Sequence, residues 1–364
     1  MLHIARRFLA AASITLTLAG CQDATAPDDA PSALSARPMM SQVQNQSAPL
    51  VKHTVAPQAT DPAINTGLAD HYVWLDPTAR GNPKLLVFLP GNNNQPAGWQ
   101  LLEQEAARLG YHVIGLMYQN DVTVVQVCKN SPDPDCSGNL HQEVQDGIDR
   151  SSLVTVTAAN SVDNRLIKVL LYLDAHYPEE GWSRFVKDGA PKWSQIVMSG
   201  QSQGAAQAAF IGKLHRVSRV AMFSGPPDAR VPEEADRWVS IGVTPAAKYF
   251  ALFHDRDHLV AGIRLNLAAL DLLRFGDPVQ AEGNPLPYGG THILFTDLKP
   301  TLGYDALNAP HQSTARDNNT PLGPDDTPLL RDAWRYLLGA HEAEEEVAGD
   351  QETSRTKPVS GVAR

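Results

Sequence analysis

The stretch SQIVMSGQSQGAAQAAFIG, residues 194–212, carries two glycines around a serine at the point where a strand pattern changes into a helix pattern. The apolar residues 196–198 indicate a buried strand, and the small residues 204–213 indicate a helix. A turn this sharp places its central residue at positive φ and leaves no room for side chains two positions to either side. That constraint explains Gly200 and Gly204, because glycine has no Cβ.

Such a turn would hold the hydroxyl of Ser202 at the edge of a sheet and at the start of a helix, where backbone N–H groups point outward. This position suits a serine oxygen that attacks a carbonyl carbon, because an oxyanion that forms beside it meets hydrogen-bond donors. The alternative is a tight strand–helix turn with an idle serine. The pentapeptide of residues 200–204 is equally compatible with both interpretations.

The rest of the chain alternates between strand and helix patterns. Continuous apolar runs and helical spacing predict strands at 84–89, 111–118, 219–225, 248–254 and 291–296, and helices at 99–109, 162–176, 259–275 and 329–339. This alternation indicates a mostly parallel sheet with helices on both faces. Ligands of such sheets bind outside the carboxyl ends of the strands, where Ser202 is expected.

With these elements in place, the chain resembles the α/β-hydrolase superfamily across residues 83–339. The resemblance depends on the turn around Ser202, on the Pro90-Gly91 loop after an upstream strand, and on the order serine, acid, histidine. It implies an α/β-hydrolase-type sheet with Ser202 as nucleophile. It also implies that the acid follows the second strand after the nucleophile and that the histidine follows the last strand.

The acid implied by the resemblance lies in ALFHDRDHLVAG, residues 251–262. Asp257 is preferred because Asp-His-Leu-Val matches the second half of the G-x-x-D-x-x-V arrangement common in the superfamily. Asp255 is the alternative acid, and its other interpretation is a cap of the following helix. A metal site formed by both aspartates with His254 and His258 is disfavoured, since adjacent residues rarely aim at one ion. We expect no metal and no other cofactor.

The general base implied by the resemblance is His311, which lies between the last strand and the closing helix. A neutral imidazole there would accept the serine proton and return it to the leaving group. His292 lies inside a predicted strand and His341 lies beyond the predicted domain, so both suit this role less well.

The resemblance also implies an oxyanion hole made of two backbone N–H groups. One belongs to Gln203, the residue after the nucleophile. The second is expected at Asn92 in the loop that follows Gly91, and Asn93 is an equal alternative. These residues would otherwise form only a polar turn.

The first 21 residues, MLHIARRFLAAASITLTLAGC, have a basic start and an apolar run too short to span a bilayer, which predicts a secretory signal. The residues before Cys21 resemble a bacterial lipobox. That resemblance implies a lipidated Cys21 and an exported protein anchored in the cell envelope, at the outer membrane or the periplasmic face. Composition predicts a disordered tether at 22–60, one domain at 61–340 and a charged tail at 341–364.

The charge and the cysteines limit the partners. The net charge is −10, and outside the signal no basic run is interleaved with aromatic residues, which argues against nucleic acid as a partner.

Cys128 and Cys136 are predicted to form a disulfide, because the protein is expected to be exported and their spacing fits no common zinc pattern. The long segment 120–160, which contains them, is predicted to form part of a lid or rim.

The leading hypothesis is a serine hydrolase that cleaves carboxylic esters through an acyl-enzyme intermediate. One alternative is a non-catalytic lipoprotein binding module on the same fold. Another is a peptidase or acyltransferase with the same triad, since substrate choice depends on the pocket rather than on the triad.

Overall fold

The computed structural model describes residues 49–79, 82–230, 234–240, 242–306 and 308–340. The strands are β1 (Val51–Val55), β2 (His71–Leu75), β3 (Leu85–Leu89), β4 (His112–Gly115), β5 (Val186–Lys187), β6 (Ala190–Pro191), β7 (Ile196–Gln201), β8 (Arg219–Phe223), β9 (Ala229–Arg230), β10 (Glu234–Ala235), β11 (Tyr249–His254), β12 (Val279–Gln280) and β13 (Ile293–Thr296). The helices are α1 (Pro57–Thr60), α2 (Gln100–Arg108), α3 (Val124–Cys128), α4 (Cys136–Asp146), α5 (Val162–His176), α6 (Gln203–Leu214), α7 (Val260–Ala269), α8 (Ala309–Gln312) and α9 (Arg331–Leu337).

A single large sheet organises this part of the chain. Its nine strands, counted over the described residues, follow the order β1-β2-β4-β3-β7-β8-β11-β13-β12. From β4 to β12 the neighbouring strands are parallel, whereas β1, β2 and β4 pair antiparallel. The fold class predicted from the sequence is confirmed.

The central strands are buried on both faces, and β3 shows how. Leu85, Val87 and Leu89 pack into the core layer that includes α5 and α6, whereas Leu86 and Phe88 pack into the layer that includes α2 and α9. Because side chains of a strand alternate between faces, a strand between two helix layers must be apolar at every position. This explains the continuous run that predicted the strand.

Most predicted elements occur near their predicted bounds, and α5 covers residues 162–176. Two differ. The strand predicted at 111–118 pairs only as β4, and the helix predicted at 259–275 stops after α7. There Asp271 adopts φ 63°, so the chain turns and continues as a 3₁₀ helix over Leu272–Phe275.

The predicted tether at 22–60 is wrong over its last ten residues. β1 pairs antiparallel with β2 in five residue pairs, from Val51↔Leu75 to Val55↔His71, and α1 follows it. An edge strand buries only part of its surface, and here Val55 alone of the five is fully buried. The apolar pattern of β1 is therefore too weak to predict a strand. The folded domain begins at least ten residues before Asp61.

The segment that contains the cysteines folds as α3 and α4, and the predicted disulfide between Cys128 and Cys136 is present. The predicted signal with Cys21, the first part of the predicted tether and the predicted tail with His341 lie outside the described residues. Within the described ranges, none of the helices is both long and apolar enough to cross a membrane.

Candidate active site

The turn between β7 and α6 has the predicted strained geometry. Ser202 adopts φ 58° and ψ −123°, and α6 begins with the next residue. A Cβ on Gly200 would overlap the backbone of Gly204, and a Cβ on Gly204 would overlap the carbonyl oxygens of Leu89 and Pro90. The two glycines therefore let β7, α6 and the end of β3 approach one another closely enough to hold the serine at the sheet edge.

Ser202, His311 and Asp257 form one hydrogen-bonded chain. The Nε2 atom of His311 lies 2.6 Å from the Oγ atom of Ser202, and its Nδ1 atom lies 2.7 Å from the Oδ2 atom of Asp257. A carboxylate only accepts hydrogen bonds, so Nδ1 is the donor to Asp257. In the neutral ring Nε2 then carries the lone pair and accepts the serine hydroxyl proton.

Local contacts orient the two partners of the serine. The Oδ1 atom of Asp257 accepts the backbone N–H of Leu259 at 2.8 Å, which leaves Oδ2 for the histidine. The side chain of Gln201 donates to the backbone carbonyl of His311 at 2.9 Å and so ties the short helix α8 to the end of β7. His311 is 7% exposed and Asp257 is 2% exposed, so bulk water competes little for their hydrogen bond.

Asp255, the alternative acid, points elsewhere. Its side chain is 51% exposed and pairs with Arg264 of α7 at 2.8 Å. It makes no capping hydrogen bond to α7, so that interpretation is wrong. The structure places Asp257, and not Asp255, within hydrogen-bonding distance of His311.

Two other histidines that the sequence offered make contacts away from the serine. His292 packs between Phe250 and Phe275, with ring centroids 4.0 and 3.8 Å away. His254 is fully buried, and its Nε2 atom contacts the carbonyl oxygen of Leu298 at 3.0 Å. Among the described residues, no three His, Cys, Asp or Glu side chains form a group able to hold a metal ion.

Two backbone donors remain available beside the serine. The N–H groups of Gln203 and Asn92 make no hydrogen bond within the described part of the chain, whereas the N–H of Asn93 donates to the carbonyl of Asn120 at 3.0 Å. The side chain of Asn92 also donates to that carbonyl, at 2.7 Å. Of the two residues considered for the second donor, only Asn92 therefore has a free backbone N–H.

A cleft of about 330 Å³ opens over the serine and the histidine. It is bounded by the loop after β3, by α3, and by the regions around α7 and α8. The predicted rim segment contributes Thr123, Val125, Gln126 and Lys129 to its wall. His258 lies on the same wall, and burial and the neighbouring His311 lower the pKa of its imidazole.

Sequence reasoning missed two contributors to this site. Gln201 was not singled out, although a polar residue fully buried at the end of a strand signals a specific hydrogen bond. Gln203 was singled out only for its backbone. Its side-chain oxygen accepts the N–H of Val124 at 3.2 Å and so fixes the start of α3, a long-range contact with no local sequence signal.

Among similar solved structures, a bacterial heroin esterase is 17% identical, with 71% of this chain and 77% of that chain covered and a TM-score of 0.32. Esterase B from Lactobacillus rhamnosis, solved with a tributyrin phosphonate inhibitor, is 11% identical, with 82% and 89% covered and a TM-score of 0.38. No protein-family model and no curated protein matches the chain. From its own sheet and its strained serine turn, the chain has the fold of the α/β-hydrolase superfamily that its sequence resembles.

Proposed function

We propose that the protein is a serine hydrolase that cleaves carboxylic esters, with Ser202 as nucleophile, His311 as general base and acid, and Asp257 as the orienting carboxylate. The hydrogen-bonded chain from Asp257 through His311 to Ser202 carries this proposal. Holding a serine at positive φ costs free energy. A protein that only binds a ligand would gain nothing from that strain or from an imidazole nitrogen 2.6 Å from the hydroxyl. This favours the enzyme over the non-catalytic binding module.

The proposed reaction has two halves. Ser202 Oγ bonds to the ester carbonyl carbon while its proton moves to Nε2 of His311, and Asp257 stabilises the imidazolium. The N–H groups of Gln203 and Asn92 donate to the oxyanion that forms. The intermediate collapses, and the alcohol leaves with the proton from His311. A water molecule then gives a proton to Nε2 of His311 and bonds to the acyl carbon; the bond to Ser202 Oγ breaks, Oγ regains the proton from His311, and the acid is released.

Hydrolysis of a short-chain ester such as ethyl pentanoate tests the proposal. We expect Ser202→Ala and His311→Ala each to lower kcat at least about 10³-fold, because each removes a member of a unit that acts together. Ser183→Ala is the matched control, since that serine is exposed and does not line the cleft. Retention of wild-type kcat by His311→Ala would contradict the assignment of the base.

We also propose, from the sequence pattern alone, that the protein acts in the bacterial cell envelope, anchored by a lipid on Cys21. We expect Cys21→Ser to move the protein from the membrane fraction to the soluble fraction. An unchanged distribution would contradict the anchor without bearing on the catalytic proposal.

A further inference from the structure

The cleft over Ser202 has few aliphatic side chains. Among its described lining residues, Val125 and Leu259 are the only ones with aliphatic side chains, and most of the others have amide, hydroxyl, imidazole or ammonium groups. Clefts that bind apolar ligands are lined mainly by hydrophobic and aromatic side chains. The wall of this cleft therefore suits a polar substrate better than a long hydrocarbon chain.

One wall is held in place at both ends. At the start of α3, Thr123 donates its hydroxyl hydrogen to Asn92 Oδ1 at 2.8 Å, and Val124 donates its N–H to Gln203 at 3.2 Å. At the end of α3, Cys128 is bonded to Cys136. Lys129 follows Cys128 directly, so its backbone has little freedom to leave the cleft.

The Asp257 carboxylate is buried behind His311 and does not line the cleft, whereas Lys129 lines it with an ammonium group. Lys129 is the only Lys, Arg, Asp or Glu among the described residues that line the cleft, and it makes no ion pair with any of the described part of the chain. His258 adds no charge near neutral pH, because the pKa of its imidazole is lowered from the ordinary value of 6.5. The net charge of −10 comes from groups spread over the chain, and water with salt screens them beyond about 8–10 Å.

Side-chain amide groups without hydrogen-bond partners in the described ranges line the same cleft as this lysine. The side chains of Gln126 and Asn308 make no hydrogen bond within the described ranges, and the Nε2 atom of Gln312 is likewise unengaged there. Amide N–H groups and an ammonium group are all donors, and carboxylate oxygens accept from both. The cleft thus offers several donors to an anionic oxygen group, together with one positive charge.

We infer that the cleft favours esters that carry a carboxylate over neutral esters, and that Lys129 is the residue that attracts this group. The inference rests on the proposed ester hydrolysis at Ser202. It extends that proposal by naming a substrate class, half-esters of dicarboxylic acids, and a specificity-determining residue.

A matched pair of substrates tests the inference. Monoethyl glutarate and ethyl pentanoate have the same alcohol and five-carbon acyl chain, and differ only in a terminal carboxylate or methyl group. The readout is the ratio of kcat/KM for the anionic ester to kcat/KM for the neutral one, measured by release of ethanol at pH 7. We expect Lys129→Gln to lower this ratio about threefold, as the loss of one solvent-accessible ion pair should, and Lys129→Glu to lower it further.

Lys187→Gln is the control variant, because Lys187 is an exposed lysine in β5, outside the cleft lining. It changes the net charge by the same amount as Lys129→Gln, so only a local effect of Lys129 can separate the two ratios. Equal ratios in the wild type and both Lys129 variants would overturn the inference while leaving the proposed function intact, provided that ethyl pentanoate is hydrolysed. If the wild type hydrolyses neither ester, both proposals are contradicted.

Discussion

Ser202 is held in a backbone conformation that costs an L-residue on the order of 1–3 kcal/mol. The sequence predicted this position because only glycine fits at residues 200 and 204. The choice between Asp255 and Asp257 was harder, since both follow the same strand. The backbone of the loop separates them: the N–H of Asp257 donates to the carbonyl of His254, which turns that side chain inward. The sequence of this loop does not indicate which of the two aspartates such a turn will direct inward.

A pair of matched variants tests this assignment. Asp257→Asn removes the carboxylate that fixes the tautomer of His311, and we expect kcat to fall by about 10⁴-fold, as it does when the acid of such a triad becomes an amide. Asp255→Asn makes the same chemical change on an exposed residue that pairs with Arg264, and we expect kcat within about twofold of the wild type. Steady-state kinetics on one ester measures both, and a larger loss in Asp255→Asn would reverse the assignment.

The elements β7 and α6 work as one unit with the end of β3. The apolar run and the small residues predicted both elements, because burial on two faces and close helix packing constrain every position. The sequence did not predict α3, which has five residues and depends on contacts with Asn92 and Gln203 far along the chain. Elements held by distant contacts leave little local pattern to detect.

The close packing of this unit predicts the cost of a single methyl group. Gly204→Ala would place a Cβ against the carbonyl oxygens of Leu89 and Pro90, which belong to backbone and cannot rotate away. We expect the free energy of unfolding to fall by about 3 kcal/mol or more, measured by urea denaturation. In the control Gly98→Ala the nearest atom, Nε of Arg316, would lie 3.6 Å away, so we expect a change within about 0.5 kcal/mol. Equal stability of the two variants would show that the unit is not tightly packed.

At the scale of the whole molecule, the sequence indicated a parallel sheet between helix layers but not the order of its strands. That order depends on pairings such as β3 with β7, whose partners are separated by more than a hundred residues. The antiparallel edge strand β1 was missed for a different reason. Edge strands are only partly buried, so Val51–Val55 lacks the continuous apolar run of the central strands.

The position of β1 predicts where the chain can be shortened. A protein that begins at residue 57 lacks β1, loses the burial of Val55 and leaves the edge of β2 unpaired. Relative to a protein that begins at residue 49, we expect its free energy of unfolding to be lower by about 2 kcal/mol or more, measured by urea denaturation. Equal stability of the two proteins would show that β1 adds nothing to the folded domain and would support a domain start near Asp61.

The central claim is that His311 activates Ser202 as a nucleophile. A fluorophosphonate probe bonds covalently to an activated serine, and intact-protein mass spectrometry followed by peptide mapping locates the adduct. We predict one adduct on Ser202 of the wild-type protein, none on Ser202→Ala, and labelling slowed by at least about 10²-fold in His311→Ala. Equal labelling of the wild type and Ser202→Ala, or an unlabelled folded wild type, would contradict the account.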